Sequence, residues 1–284
     1  MPGLRLPGGL ASCPAVTPAP LSRPGLILAL SLGLLPGTPA RAVPDNLQIF
    51  LLIGQSNMAG RGAVELQDKT PHPRVFMLTK ELAWVPAADP MHFDKPERIG
   101  TGLGKTFGTV LAEADPAAII GLVPAAFGGS ALDEWTPGAP HYVNAVARAK
   151  EAIKHGRLAG ILWHQGEADR APDKVATYPV RFAKFIAHLR ADLDAQDVPV
   201  IVGEIGRFCP NEGPINAAIR QLPEMVPHCA LVTSEGLAGR PEQPEVVHFV
   251  TPAFRELGRR YAAAWQALQP APVTMLNPLM LVPK

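Results

Sequence analysis

The sequence is short of several things. It has three cysteines in 284 residues, Cys13, Cys209 and Cys229. Lysine plus arginine number 26 against 25 acidic residues, and no basic patch stands out. That balance excludes nucleic acid or an anionic membrane surface as the expected partner. No cluster of histidine, cysteine and carboxylate has the spacing of a metal site, so neither metal nor cofactor is expected. The longest early apolar run, Gly25 to Leu35, is too short to span a bilayer comfortably. There is no internal repeat and no second composition block that would mark another domain.

Acidic residues are also missing from residues 1–42, which carry three arginines, Arg5, Arg23 and Arg41. The apolar run there is followed by Pro36, Gly37 and then Ala40-Arg41-Ala42. A basic start, a short apolar core and small residues at the Ala-x-Ala positions describe a secretory signal. The expected mature chain begins at Val43 and is secreted or periplasmic, with no stable membrane insertion after cleavage. Its formal charge moves from +1 to −2. Cys209 and Cys229 remain, and an exporting compartment permits a bridge between them. Sequence spacing does not show whether their Cα atoms lie close enough. The division expected is a signal at 1–42, one catalytic domain at 43–269 and a proline-broken tail at 270–284.

What is present is alternation. Short apolar runs at 47–53, 118–123, 158–163, 199–205 and 229–233 read as strands covered on both faces. Helices are predicted over 104–114, 141–155, 173–195, 213–222 and 251–268. Phe254, Leu257, Tyr261 and Trp265 recur at helical steps in the last one and read as core. Strand–helix alternation implies a parallel, doubly wound sheet. Such sheets bind ligands at the carboxyl ends of their strands. Residues 61–103 show no clear element and read as loops flanking the pocket.

The polar residues follow the strands. Gly54 ends the first apolar run and Ser56 sits two residues on, where a helix can start. A serine there presents its hydroxyl at the sheet edge among outward-pointing N–H groups, which suits a nucleophile beside an oxyanion site. An N-cap serine in a tight turn is the other reading. The stretch is not a Gly-x-Ser-x-Gly elbow. After the second strand, Gly128-Gly129-Ser130 lets backbone approach a ligand, and the Gly129 N–H is a candidate oxyanion donor. After the third comes Trp163-His164-Gln165-Gly166-Glu167-Ala168-Asp169, where the Gln165 amide is another candidate donor. Glu167 and Asp169 read as support or as caps of the next turn. Glu204 and Arg207 either line the pocket or pair with each other. Near the end, Glu245 precedes His248 by three residues, a spacing that lets a carboxylate orient an imidazole able to take the Ser56 proton. Gln55, Asn57, Trp135, His164, Glu167 and Arg207 complete the candidate substrate-binding set.

Taken together, Gly54-Gln55-Ser56-Asn57-Met58, Gly128-Gly129-Ser130 with Trp135, Trp163-His164-Gln165-Gly166-Glu167, and Glu245 with His248 resemble the sialate O-acetylesterase-like branch of the SGNH hydrolases. These are carbohydrate O-acetylesterases, acetylxylan esterases among them. The similarity runs from about Gln48 to Trp265. It implies a flavodoxin-like three-layer α/β/α sandwich, with a central parallel sheet expected here to hold five strands. It further implies Ser56 as nucleophile, His248 as base, and an oxyanion hole from the Ser56 N–H, the Gly129 N–H and the Gln165 side chain. The family usually has aspartate where this chain has Glu245; Glu242 or a backbone carbonyl is the alternative third member. The function implied is an exported serine esterase, a carboxylic ester hydrolase acting on acetylated carbohydrate of the xylan or sialic-acid type. Its rivals are a non-catalytic carbohydrate-binding protein on the same fold and an esterase for lipid or other short acyl esters.

Overall fold

The structure, a computed structural model, describes residues 45–242 and 247–270. The first strand, β1 (Leu47–Gly54), is buried along nearly its whole length. Its side chains alternate between two cores. Leu47, Ile49, Leu51 and Ile53 join one, while Phe50 and Leu52 join the other. A strand apolar at nearly every position, Gln48 apart, is what a centre strand between two helical layers requires.

Around it lie β2 (Val75–Leu78), β3 (Trp84–Pro86), β4 (Ile120–Pro124), β5 (Gly156–His164), β6 (Val200–Gly203) and β7 (Cys229–Val232). The sheet order is β3-β2-β4-β1-β5-β6-β7. All pairs are parallel except β2 with β3. The sheet thus has seven strands, not the five expected. The two additions come from 61–103, where four- and three-residue segments are too short to show a period.

The helices are α1 (Ser56–Ala59), α2 (Leu66–Lys69), α3 (Gly104–Ala114), α4 (Pro140–Ile153), α5 (Pro172–Asp192), α6 (Glu212–Ile219), α7 (Leu222–Met225) and α8 (Thr251–Ala267). One core takes Tyr142 and Ala149 of α4, Phe182 and Leu189 of α5 and Ile215 of α6. The other takes Phe107 of α3 with Phe254, Leu257, Tyr261 and Trp265 of α8. Proline opens α4 and α5 at the first helical position, where its missing N–H leaves no bond unmade. Cys209 and Cys229 are both buried and form no disulfide.

This order sets the site. Chain progression reverses at β1, which lies between β4 and β5, and a doubly wound sheet opens a crevice where that happens. Three loops meet there, those leaving β1, β4 and β5. The Gln55 N–H bonds the His164 carbonyl, and the Phe127 N–H bonds the Gly54 carbonyl.

Candidate active site

Gly54 makes the turn that exposes Ser56. Its φ is +127°, and a Cβ there would lie 2.3 Å from the His164 carbonyl oxygen. Only glycine fits both demands. The chain then enters α1 with Ser56 as its first residue.

Opposite it, the segment leading into α8 carries His248. Its Nε2 lies 3.0 Å from Ser56 Oγ. Both residues are 8% exposed and line one cavity of about 260 Å³. Burial drives the His248 pKa down to about 4, and the Arg61, Arg98, Arg240 and Lys95 cations push the same way. Its imidazole is therefore neutral at pH 7, the state in which it accepts a proton.

Two backbone donors point at the same space. Among the described residues, neither the Ser56 nor the Gly129 N–H has an acceptor. Both residues line the cavity. Gly129 has φ +87°, a conformation that favours glycine. The loop around it is held from both sides. Asp94 accepts the Gly128 N–H at 2.8 Å and pairs with Arg61 at 2.6 Å. On the other side the Trp135 Nε1 donates to Ser130 Oγ at 2.9 Å.

Gln165 is placed elsewhere than the expectation had it. Its Nε2 donates to Asp169 Oδ2 at 2.6 Å and to the Ser130 carbonyl at 3.1 Å. Its Oε1 accepts from the Tyr178 hydroxyl at 2.9 Å. A primary amide has two N–H hydrogens, so none is left for an oxyanion. Gln165 is fully buried and does not line the cavity. It anchors the loop that carries Gly129.

The other candidates divide. Gln55 and Glu167 line the cavity. Trp135 is fully buried in core, its ring 5.4 Å from Trp163. His164 is also fully buried, with Nδ1 3.0 Å from the Tyr261 hydroxyl, and burial pushes its pKa down to about 3. Arg207 lies outside the cavity and pairs with Glu204 and Glu235. Glu242 pairs with Arg240 at 2.5 Å on the surface, so it does not reach His248. Glu245 lies outside the described residues.

Asn57, expected to touch substrate, is fully buried and does something different. Its Nδ2 donates to Glu167 Oε1 and, at 2.8 Å, to the Val247 carbonyl, and its Oδ1 accepts the Phe249 N–H at 3.4 Å. The residue next to the nucleophile therefore grips the main chain on both sides of the base. Burial pushes Glu167 up to about 7, against the pull of Asn57 and Arg170.

The cavity rim was not visible in the sequence. Arg61, Lys95, Arg98 and Arg170 line it, and Glu167 is the one carboxylate among its described lining residues. Arg61 is neutralised by Asp94, and Arg170 donates to the Glu167 and Pro210 carbonyls. Lys95 and Arg98 have no carboxylate partner among the described residues. In one dimension, Lys95 and Arg98 are two cations in a stretch that also holds Pro90, Pro96 and Gly100, a pattern indistinguishable from any solvated loop.

Known proteins are similar to this chain in sequence and in fold. A family model described as carbohydrate esterase, sialic acid-specific acetylesterase matches residues 46–267. The chain belongs to that family. It is 33% identical over 244 residues to an Arabidopsis thaliana protein named "Probable carbohydrate esterase", covering 78% of this chain and 91% of the relative. A solved Arabidopsis thaliana structure superposes with TM-score 0.72 at 30% identity, over 79% of this chain and 99% of that one. NanS superposes at 0.63 with 18% identity, over 79% of this chain and 98% of its own, and shares the fold. With a mostly parallel sheet between helical layers, the chain has the α/β/α architecture that the resemblance implied.

Proposed function

We propose that this carbohydrate esterase is a serine acetylesterase acting through an acyl-enzyme, and that its substrate is an acidic O-acetylated sugar of the sialic-acid type. The observation that carries the reading is the 3.0 Å contact between Ser56 Oγ and His248 Nε2 inside a cation-rimmed cavity.

The chemistry follows from the contacts. Ser56 Oγ attacks the acetyl carbonyl carbon while His248 Nε2 takes its proton. The carbonyl oxygen becomes an oxyanion, met by the Ser56 and Gly129 N–H groups. Collapse breaks the bond to the sugar oxygen, and the imidazolium returns the proton to that leaving alkoxide. Water then attacks the acetyl-Ser56 carbonyl, giving its proton to His248. The second collapse frees acetate and restores the Ser56 hydroxyl. Glu245 is assigned the role of orienting His248, from its place three residues upstream. Asn57 keeps Ser56 and His248 in register through the main chain at Val247 and Phe249.

The rim supports the choice of an acidic sugar over a neutral xylan unit. Lys95 and Arg98 line the cavity without carboxylate partners among the described residues, and after burial the surrounding cations lower the His248 pKa further, as a positive potential at the base does. Glu167 opposes this only in part, since burial raises its pKa to about 7 and so keeps a share of it protonated near neutral pH. A substrate carboxylate meets favourable field at that mouth. Residues 1–42 lie outside the described residues, and export, with Val43 as mature N-terminus, is part of the same proposal.

The test is Ser56→Ala together with an organophosphonate probe. The variant is expected to fold normally and lose nearly all hydrolysis, and the probe to label Ser56. Label on another serine, or appreciable turnover by the variant, overturns the assignment.

A further inference from the structure

A second cavity, of about 480 Å³, adjoins the first. The two share a wall. Gly128 and Lys95 face the nucleophile's cavity, while their chain neighbours Phe127 and Asp94 face the second.

Its lining is not that of an ordinary surface dimple. Phe127 is 38% exposed, although it belongs to a loop otherwise fixed by hydrogen bonds. Its ring stacks on His141, centroids 4.2 Å apart and planes 25° apart. The stack makes a rigid aromatic face that remains open to solvent. Lys80 and Asn144 also line the cavity, and their side chains have no partner among the described residues. Two further polar atoms lie in the wall. His92 Nδ1 accepts the Ala126 N–H at 3.3 Å, so the hydrogen of the neutral ring sits on Nε2, which has no acceptor among the described residues. Asp94 Oδ1 is likewise buried without a donor. His92 is 3% exposed, and the Asp94 side chain is fully buried.

Both atoms are sealed from the cavity space, so the polar groups open to a ligand there include Lys80 and Asn144. A hydroxyl both donates and accepts. An aromatic face with a few placed polar groups is the usual make-up of a small-molecule site. A pyranose ring offers the matching surfaces, an apolar C–H face and a rim of hydroxyls.

We infer that this cavity is a second glycosyl subsite, holding the sugar linked to the acetylated residue with its C–H face on Phe127 and its hydroxyls toward Lys80 and Asn144. The inference rests on the esterase reading and extends it: the preferred substrate is an acetylated sugar within a glycoside, not the free monosaccharide.

The experiment compares kcat/KM on matched pairs: O-acetylated sialic acid free and linked to lactose, and acetylated xylose against acetylated xylobiose. p-Nitrophenyl acetate serves as a third substrate that has no sugar at all. The wild-type enzyme is expected to favour the linked member of one pair by about tenfold or more, and Asn144→Ala and Phe127→Ala to bring that ratio toward one. Phe127 neighbours the Gly129 loop, so Asn144→Ala, on the exposed side of α4, carries the test if Phe127→Ala folds poorly. A wild-type ratio near one on both pairs, with p-nitrophenyl acetate still hydrolysed, overturns the subsite and leaves the esterase standing. A wild-type ratio retained in Asn144→Ala also overturns it. No turnover of p-nitrophenyl acetate overturns the esterase reading and the subsite with it.

Discussion

Two regions wall the nucleophile, and they are opposites. The end of β5, Trp163 to Asp169, is dense in polar and aromatic residues that announce a site in the sequence. The segment Arg61 to Arg98 announces nothing. Yet of the seven residues in the first stretch only Glu167 and Ala168 line the cavity, while the second supplies Arg61, Lys95 and Arg98. The conspicuous region is a scaffold. Gln165, Asp169, Tyr178 and Arg181 satisfy one another and pin the Ser130 to Leu132 main chain. The inconspicuous region is the electrostatic rim. Polar residues at a buried strand end must find partners wherever they point, and here they find one another.

That contrast can be broken by mutation. The largest effect is expected at Asn57, which joins scaffold and chemistry. Asn57→Ala frees the main chain beside His248, and a displacement of the base by about 1 Å is expected to lower kcat on the order of 10²-fold. Its KM should move little, because Asn57 is fully buried. Single-turnover acylation rates read this directly; a KM effect with normal kcat would return Asn57 to substrate binding.

Gln165→Ala separates scaffold from oxyanion hole. As scaffold, it leaves the buried Asp169 Oδ2 with fewer donors and costs about 1–3 kcal/mol of stability. Thermal unfolding should show that loss while kcat on a small acetyl ester stays within about tenfold of wild type. If the amide instead stabilises the oxyanion, kcat falls roughly 10²–10³-fold at unchanged melting temperature. The two outcomes do not overlap.

The smallest effect is expected at the rim. Arg98→Gln should raise KM for an anionic sugar ester a few-fold and leave a neutral ester's KM alone, with the difference shrinking in salt as charge is screened. It should also move the acid limb of kcat/KM. The base works while neutral, so activity falls as pH drops through the His248 pKa, about 4. Arg98 helps hold that value down, and removing it shifts the limb upward. A limb that does not move would show that the Arg98 charge is screened from the base.

Much of the layout was legible in one dimension. Strands covered on both faces are apolar at most positions, so β1, β4, β5, β6 and β7 declared themselves. Phe254, Leu257, Tyr261 and Trp265 marked the buried face of α8 by spacing alone. Gly54 and Ser56 stood out because a buried strand that stops at glycine leaves the serine just beyond it at the edge of the sheet. The edge strand β3 and its neighbour β2 stayed hidden because they are short and lie among the Pro-, Asp- and Gly-rich turns of 61–103. Local pattern therefore determined the layers, the order of the elements and which strand ends would carry polar groups.

Tertiary structure alone decided which of those groups reach the cavity. His248 approaches Ser56 across 192 positions of sequence, and Asn57 spans 190 to reach Val247. Whether Gln165 donates to an oxyanion or to Asp169, whether Trp135 stacks on a sugar or meets Trp163 edge-on, and whether Lys95 faces solvent or an active site depend on what lies beside each one in space. Hydrogen-bonding groups and charges are the same in either setting; only the partner within about 3 Å differs, and that partner comes from another segment of the chain.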